Sequence, residues 1–331
     1  MAKTFDICIR GAGVVGRTLA LLLARERLRV ALVAAPAPAV APTGDVRAYA
    51  LNAASRQLLE SLRSWPDPAH ATAVTQMQVF GDQGGAVHFD AATQGADALA
   101  WIVDVPALEA RLAEAVRYQP QVEVVPEPVP GALTVVCEGR ASRTRSEFGV
   151  DFEVTAYEQH AIATRLDCER PHGQVARQWF TAEGDIVAFL PLDGADGRQV
   201  AVVWSVLADR VPALLALDDA AFAARLYELS GGAFGALAQT GPRASWQLLL
   251  ARATRWVGAL PGRPGESFAL AGDAAHAMHP LAGQGLNVGL GDAAELAQVL
   301  AAREPWRSPG DLKLLRRYER ARQGDWLRMS L

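Results

Sequence analysis

Ala269-Leu270-Ala271-Gly272-Asp273-Ala274-Ala275-His276-Ala277-Met278-His279-Pro280-Leu281-Ala282-Gly283-Gln284-Gly285-Leu286-Asn287 is the stretch on which the fold turns. It predicts a buried apolar strand, an acidic turn, a glycine-rich loop and then a helix over about residues 286–300. A carboxylate at a strand end, here Asp273, can accept hydrogen bonds from sugar-like hydroxyls, and Gly283 and Gly285 let backbone amides approach a ligand with no Cβ in the way. The helix that follows aims its unpaired N–H groups and the positive end of its dipole at the same place, so negative charge there is stabilised. The pattern suits a large anionic cofactor.

The beginning of the chain carries the matching half. Residues 4–9 predict a strand, Gly11-Ala12-Gly13-Val14-Val15-Gly16 a tight turn, residues 18–26 a helix and residues 29–34 a second strand. GxGxxG between a strand and a helix is the context in which the motif places a dinucleotide pyrophosphate on the helix N-terminus. A glycine turn with no ligand is the plainer alternative. One part of the fingerprint is missing. The acid that normally follows about 20 positions on, to hold the adenosine ribose, is replaced by Val33-Ala34-Ala35-Pro36, and the next acid is Asp45.

Between the two motifs lies material for sheets. A Pro- and Ala-rich connection, residues 36–42, leads to Asp45-Val46-Arg47 and a helix to about residue 62. Arg47 is either a surface charge or a phosphate or ring contact. Residues 74–80 and 86–89 predict a pair of strands, residues 101–103 another, and Pro106 starts a helix over residues 107–116, where its missing N–H does no harm. Brief strands at 122–125 and 132–136 precede Cys137-Glu138-Gly139-Arg140-Ala141-Ser142-Arg143-Thr144-Arg145. That segment is either a solvated basic loop or a turn that hands cations to a phosphate-bearing cofactor. Residues 152–166, 174–181, 186–191 and 199–206 predict an antiparallel sheet, residues 214–229 a helix with Asp218 and Asp219 near its start, and residues 245–253 a further strand. A basic amphipathic helix over residues 311–327 is expected to pack on the nucleotide-binding part.

Composition narrows the function classes. The 331 residues are 50% hydrophobic, enough for a substantial core. With Lys+Arg 32 against Asp+Glu 36 the net charge is -4, and there is no concentrated basic run, so a nucleic-acid partner is not expected. Cys8, Cys137 and Cys168 are widely spaced, which suggests neither a disulfide framework nor a zinc site and fits a reducing cytoplasm. No signal peptide and no membrane span is read in the sequence. His276 and His279 lack the further ligands a metal site needs, so no metal is expected.

In order and spacing, the Gly11–Gly16 turn, the Glu138-Gly139 turn with Arg145, and Gly272-Asp273 with its glycine loop resemble the FAD-dependent aromatic hydroxylases of the para-hydroxybenzoate hydroxylase superfamily. The resemblance is closest to the ubiquinone-biosynthesis branch. It rests further on Asp45-Val46-Arg47 with Ala50-Leu51 and Ser55, on Tyr157-Glu158-Gln159 with Ala161, on Phe180-Thr181 with Gly184, on Leu190-Pro191-Leu192 with Val203-Trp204, and on Pro280, Gly283-Gln284-Gly285 and Leu286-Asn287. The likeness covers almost the whole chain.

That resemblance implies an α/β fold, a Rossmann-like FAD-binding domain with an inserted antiparallel-sheet substrate domain. The expected division is 1–72, 101–165 and 255–331 for FAD, and 73–100 and 166–254 for substrate. Gly11, Gly13 and Gly16 would receive the pyrophosphate, Arg47 would contact the cofactor, Asp273 would bind the ribityl chain, and Leu286 and Asn287 would face the pyrimidine edge of the ring. Pro280, Gly283 and Gly285 would position the flavin, with no side chain acting as catalyst. The implied reaction is reduction of FAD by NAD(P)H, addition of dioxygen (O2) to give a flavin C4a-hydroperoxide, and oxygen transfer to a phenolic quinone precursor. Peripheral membrane contact, a biosynthetic complex or a homo-oligomer fits the branch. Ala34, Glu138 in place of the family's usual Asp, the missing hairpin between residues 125 and 135 and the end of the chain at Leu331 depart from the pattern. They keep a second reading open, a flavin-fold protein with weak or lost hydroxylation that serves as a binding or accessory subunit. A halogenase or reductase of the same fold is a third, though the paired tryptophans of flavin halogenases are not seen.

Overall fold

The computed structural model describes residues 4–34, 44–277 and 285–330, with side chains through residue 325. Its first layer is a six-stranded sheet ordered Val257–Ala259, Ser267–Leu270, Leu133–Val136, Ile7–Arg10, Val30–Val33 and Val122–Val125. All neighbours are parallel except the first pair. The central strands read as unbroken apolar runs, and Ile7, Ile9, Val30, Leu133, Val135, Ala269 and Leu270 are fully buried. Such runs are expected of strands covered on both faces. Helices Val14–Arg25 and Gly285–Ala301 pack against each other, and Val105–Arg117 packs on the first of them. Pro106 sits in the opening turn of Val105–Arg117, as the sequence predicts.

The second layer is a nine-stranded sheet built from the chain between the parallel strands. Phe152–Cys168 is its spine, flanked by Ala244–Ala253 and Gln199–Leu207, and the sheet continues through Ile186–Leu192 and Val175–Phe180 to the hairpin Gln76–Phe80 and Ala86–Asp90. One face carries Val202, Trp204 and Val206 against Phe222 and Leu226 of helix Asp219–Leu229. A small antiparallel sheet, Ala48–Leu51, Ala100–Asp104 and Ala71–Val74, joins the two layers. Its Ala48, Val74 and Ile102 pack with Ala176, Leu192 and Ala201 of the large sheet. The chain is therefore α/β, with the sheet-rich part inserted between the strands of a Rossmann-like layer.

Two expectations need correction. Residues 74–80 are not one strand: Ala71–Val74 belongs to the small sheet and Gln76–Phe80 to the large one. The change of partner falls at Thr75, whose N–H donates to the Gln174 carbonyl. Residues 214–229 are likewise two helices, Val211–Leu215 and Asp219–Leu229. Asp218 interrupts them because its carboxylate caps the second, accepting from the Ala221 N–H at 2.7 Å. The last helix, Leu312–Ser330, does pack on the parallel layer: the Tyr318 hydroxyl donates to the Leu270 carbonyl, and Glu319 accepts from the Trp256 N–H. Among the described residues no helix is long and apolar enough to cross a membrane.

Candidate cofactor cleft

A cleft of about 380 Å³ opens at the carboxyl ends of the parallel strands. That volume lies in the usual range for ligand sites, roughly 300–1,000 Å³. Gly13, Val14 and Val15 line it from the first turn; Cys137, Gly139 and Arg140 from the second; Gly272, Asp273, Gly285 and Leu286 from the third. The three motifs, far apart in sequence, thus meet at one cavity.

The three glycines of the first turn have different jobs. A Cβ on Gly11, whose φ is +113°, would stand 2.4 Å from the Cys137 carbonyl oxygen, and one on Gly16 would stand 1.9 Å from the Gly11 oxygen. Those two let strand, turn and helix pack. At Gly13 a Cβ would meet none of the described residues within 4 Å. It faces the open cleft, at the N-cap of helix Val14–Arg25, and no side chain caps that helix. The first-turn N–H groups therefore lack a side-chain partner where an anion would bind. Gly285, whose added Cβ would likewise meet none of the described residues, opens the second helix onto the same cleft.

Asp273 is exposed to the cleft, between the buried residues Gly272 and Ala274. Desolvation raises its carboxyl pKa, while His276 and Arg140 pull it down. Behind it stands a buried charge knot. Asp292, fully buried, accepts from the Gly272 N–H at 2.8 Å, bonds His276 Nε2 at 2.6 Å and accepts from Arg322 Nε at 2.7 Å. Burial pushes the Asp292 carboxyl up, but His276 and Arg322 outweigh it and hold the pKa below the ordinary value. The His276 ring lies against Trp256, centroids 4.9 Å apart. His276 is thus a support for the turn, and among the described residues no group of three His, Cys, Asp or Glu could hold a metal.

Arg47 lines the cleft with its charge matched: it donates to Asp45, and its Nη2 lies 3.4 Å from Glu109. Glu138 points into a local knot, accepting from Arg10, Ser142 and Thr144, so its extra methylene serves the turn itself. Arg145 is buried, donates to the Ala274 and Arg140 carbonyls and lies over the Phe152 ring. Residues 143–147 are a short helix, not a solvated loop. Asn287 is buried beside the cleft rather than in its wall: its Oδ1 accepts from Asn52 N–H and Ser55 Oγ and its Nδ2 donates to the Ala50 carbonyl. Pro280 and Gly283 lie outside the described residues. Sequence reasoning missed Tyr49, Glu109 and Trp246 in the cleft wall; Glu109 sits on an unremarkable helix face, and no motif marks the other two, whereas Arg140 comes from the basic segment read either as a solvated loop or as a source of cations, and it lines the cleft.

A second pocket of about 120 Å³ adjoins the cleft and shares Arg47, Tyr49 and Trp246 with it. It is walled by small apolar residues, among them Ala48, Ala100, Ala163, Ala188 and Ala201, with Gln178 and Ser205 as polar points.

Comparison with known proteins agrees with this geometry. The FAD binding domain family matches residues 114–324. A ubiquinone hydroxylase, UbiL, of Rhodospirillum rubrum is 31% identical over 99% of this chain and 80% of its own length. The 3-demethoxyubiquinol 3-hydroxylase of Escherichia coli is 30% identical over 97% of this chain and 86% of its own. The chain belongs to the FAD-dependent aromatic hydroxylases, in their ubiquinone-biosynthesis branch. In fold it is similar to PqsL of Pseudomonas aeruginosa, a probable FAD-dependent monooxygenase, with a TM-score of 0.77 at 19% identity, covering 99% of this chain and 93% of that one. It is similar too to the p-nitrophenol 4-monooxygenase of Pseudomonas putida, with a TM-score of 0.74 at 20% identity over 100% of this chain and 87% of that one. An FAD-dependent monooxygenase is thus the function of the family, and a binding subunit stripped of that chemistry is not favoured.

Proposed function

We propose that this monooxygenase takes electrons from NADH or NADPH and hydroxylates a phenolic quinone precursor of ubiquinone biosynthesis. The observation that carries the reading is the shared wall of the two cavities: an anion-adapted cleft on one side of Arg47, Tyr49 and Trp246, a small apolar pocket on the other. An apolar cavity of about 150 Å³ is enough to hold one benzene, so the pocket has the scale of a single ring. Its alanine walls exclude water around that ring, and Gln178 and Ser205 supply points for a ring oxygen. Burial and the nearby Asp273 raise the Tyr49 phenol pKa, which keeps it a neutral donor at the boundary.

Toward the cofactor, the proposed contacts are the backbone of Gly11, Gly13 and Gly16 for the pyrophosphate, Asp273 for ribityl hydroxyls and Leu286 for the ring edge, with Pro280, Gly283 and Gly285 bordering the reacting face. Arg47 completes the wall, and Asn287 acts by tying the helix start to residues 50–55. When bound, FAD supplies the redox chemistry that activates dioxygen. The proposed FAD-binding domain spans 1–72, 101–165 and 255–331 and the substrate domain 73–100 and 166–254, with the spine strand Phe152–Cys168 of the large sheet running from one into the other. The three cysteines are unpaired, which supports work in the cytoplasm. Exposed Val87 and Phe89 on the edge strand, with exposed Phe180 at the end of Val175–Phe180, support peripheral contact with a membrane that carries a prenylated precursor.

The test is FAD uptake by purified protein, followed by NADH and NADPH oxidation across phenols and short-chain ubiquinone precursors with product quantified. Coupled formation of hydroxylated product is expected; peroxide release without product for every phenol would sink the substrate assignment.

A further inference from the structure

The two arginines of the cleft face different surroundings. Arg47 is hydrogen-bonded to Asp45 and lies beside Glu109, so carboxylates already meet its charge. Arg140 is exposed and makes no ion pair among the described residues; its Nη1 only reaches the Gln247 carbonyl at 3.5 Å. That is a long contact, near the limit of a hydrogen bond. Gln247 lies on Ala244–Ala253 of the large sheet, so Arg140 reaches toward the opposite wall of the cleft. Among the described residues, the acids and bases charged at neutral pH that line the cleft are Arg47, Glu109, Arg140 and Asp273. Asp45 and Glu109 are ion-paired to Arg47, whereas Arg140 acts on Asp273 only through its charge, with no ion pair between them, so Arg140 is the described cleft cation least engaged by carboxylates.

Its position selects which part of the cofactor it would meet. The segment from Cys137 abuts the glycine turn so closely that a Cβ on Gly11 would lie 3.0 Å from the Glu138 nitrogen. Gly139, with φ +77°, then turns the chain, and its missing Cβ looks into open space. Arg140 therefore leaves the backbone beside the uncapped helix start at Gly13, where a pyrophosphate would rest.

We propose that Arg140 is the main side-chain cation for the pyrophosphate of FAD in this chain, exchanging the Gln247 carbonyl for a phosphate oxygen. The inference rests on the FAD reading above. Where Ala34 replaces the usual acid the ribose has one anchor fewer, and a firm guanidinium–phosphate contact would offset that loss of affinity.

The experiment titrates apoprotein with FAD, ADP and riboflavin, following flavin fluorescence and heat, for the wild type, Arg140→Gln, Arg140→Lys and Arg47→Gln. Loss of a charged hydrogen bond predicts about tenfold weaker FAD and ADP binding for Arg140→Gln, with a shallower salt dependence. Riboflavin, which has no phosphate, should bind the variant as it binds the wild type. Arg140→Lys should recover part of the loss, and Arg47→Gln should lose less than Arg140→Gln. Arg140→Gln with wild-type affinity for FAD overturns the proposal, as does an equal loss for riboflavin, which would mean a ring contact. Failure of the wild type to bind FAD at all would instead strike the parent reading and this one with it. A thermal melt of each apoprotein checks that the fold is kept.

Discussion

Two turns meet at the cleft, and they are held by opposite means. The turn at residues 11–16 is held by the absence of side chains: Gly11 and Gly16 let a carbonyl oxygen come where a methyl group would stand. The turn at Gly272–Asp273 is held by buried charge, with Asp292 binding the Gly272 amide while His276 and Arg322 neutralise it. The first device is local and tolerates no bulk. The second is assembled from helix Gly285–Ala301 and helix Leu312–Ser330 and tolerates no missing charge.

The largest effect should come from Asp292→Asn. Removing one member of a buried ion pair leaves the others uncompensated, typically at a cost of about 3–5 kcal/mol, and denaturant unfolding should report a loss of that size. The pH dependence has a definite sign. The folded-state pKa of Asp292 is held below its ordinary value, so its contribution is fully present above the ordinary carboxylate range and drains away as the pH falls through the folded pKa. Wild-type stability should therefore fall on the acid side below about pH 4, and Asp292→Asn should flatten that slope. A variant less than about 1 kcal/mol weaker than the wild type, with an unchanged acid slope, would mean that glycine packing alone holds both turns.

Gly16→Ala comes next. Its Cβ would lie 1.9 Å from the Gly11 oxygen, a backbone atom with little freedom to yield. Overpacking that forces backbone movement costs about 1–3 kcal/mol and occasionally more, and the upper end is expected. The check is a chemical melt of the apoprotein, in which an unchanged midpoint would show that the strand-to-helix junction can open without penalty.

The same contrast explains what could be read in advance. The glycine turn was legible because its requirement is written in consecutive residues, and the strands and helices around it followed from their apolar runs. Asp273 was legible as a carboxylate at a strand end. The knot behind it was not: Asp292 and Arg322 are 30 positions apart, and nothing in an amphipathic helix distinguishes an arginine that turns inward from one that faces water. Glu138 and Arg145 are ambiguous in sequence for a related reason, since a solvated basic loop and a turn whose Glu138 and Arg145 are tied into local hydrogen bonds have the same composition. Thr75 and Asp218 hid their breaks because alternation and helical propensity run straight through them; only a change of hydrogen-bond partner ends the element. Within GxGxxG itself, sequence treats the three glycines alike, whereas the structure separates two that pack from one that faces a ligand.

That separation leads to the smallest effect on folding and the most selective one. Gly13 has φ −79° and ψ −170°, a conformation open to any residue, and a Cβ there would touch none of the described residues. Gly13→Ala should therefore leave the apoprotein melt within about 1 kcal/mol of the wild type, on the stable side if the reduced freedom of the unfolded chain dominates. The added methyl group would nevertheless project into the space above the uncapped helix start, between the first-turn N–H groups and any phosphate resting on them. FAD affinity should fall about tenfold or more, as expected when charge-assisted hydrogen bonds are lost, while riboflavin binding should change little. Gly16→Ala predicts the reverse order, stability lost first and ligand affinity only as a consequence. If Gly13→Ala took up FAD as tightly as the wild type, the phosphates could not lie over this turn, and the cleft would have to hold its cofactor from the Gly272–Asp273 side alone.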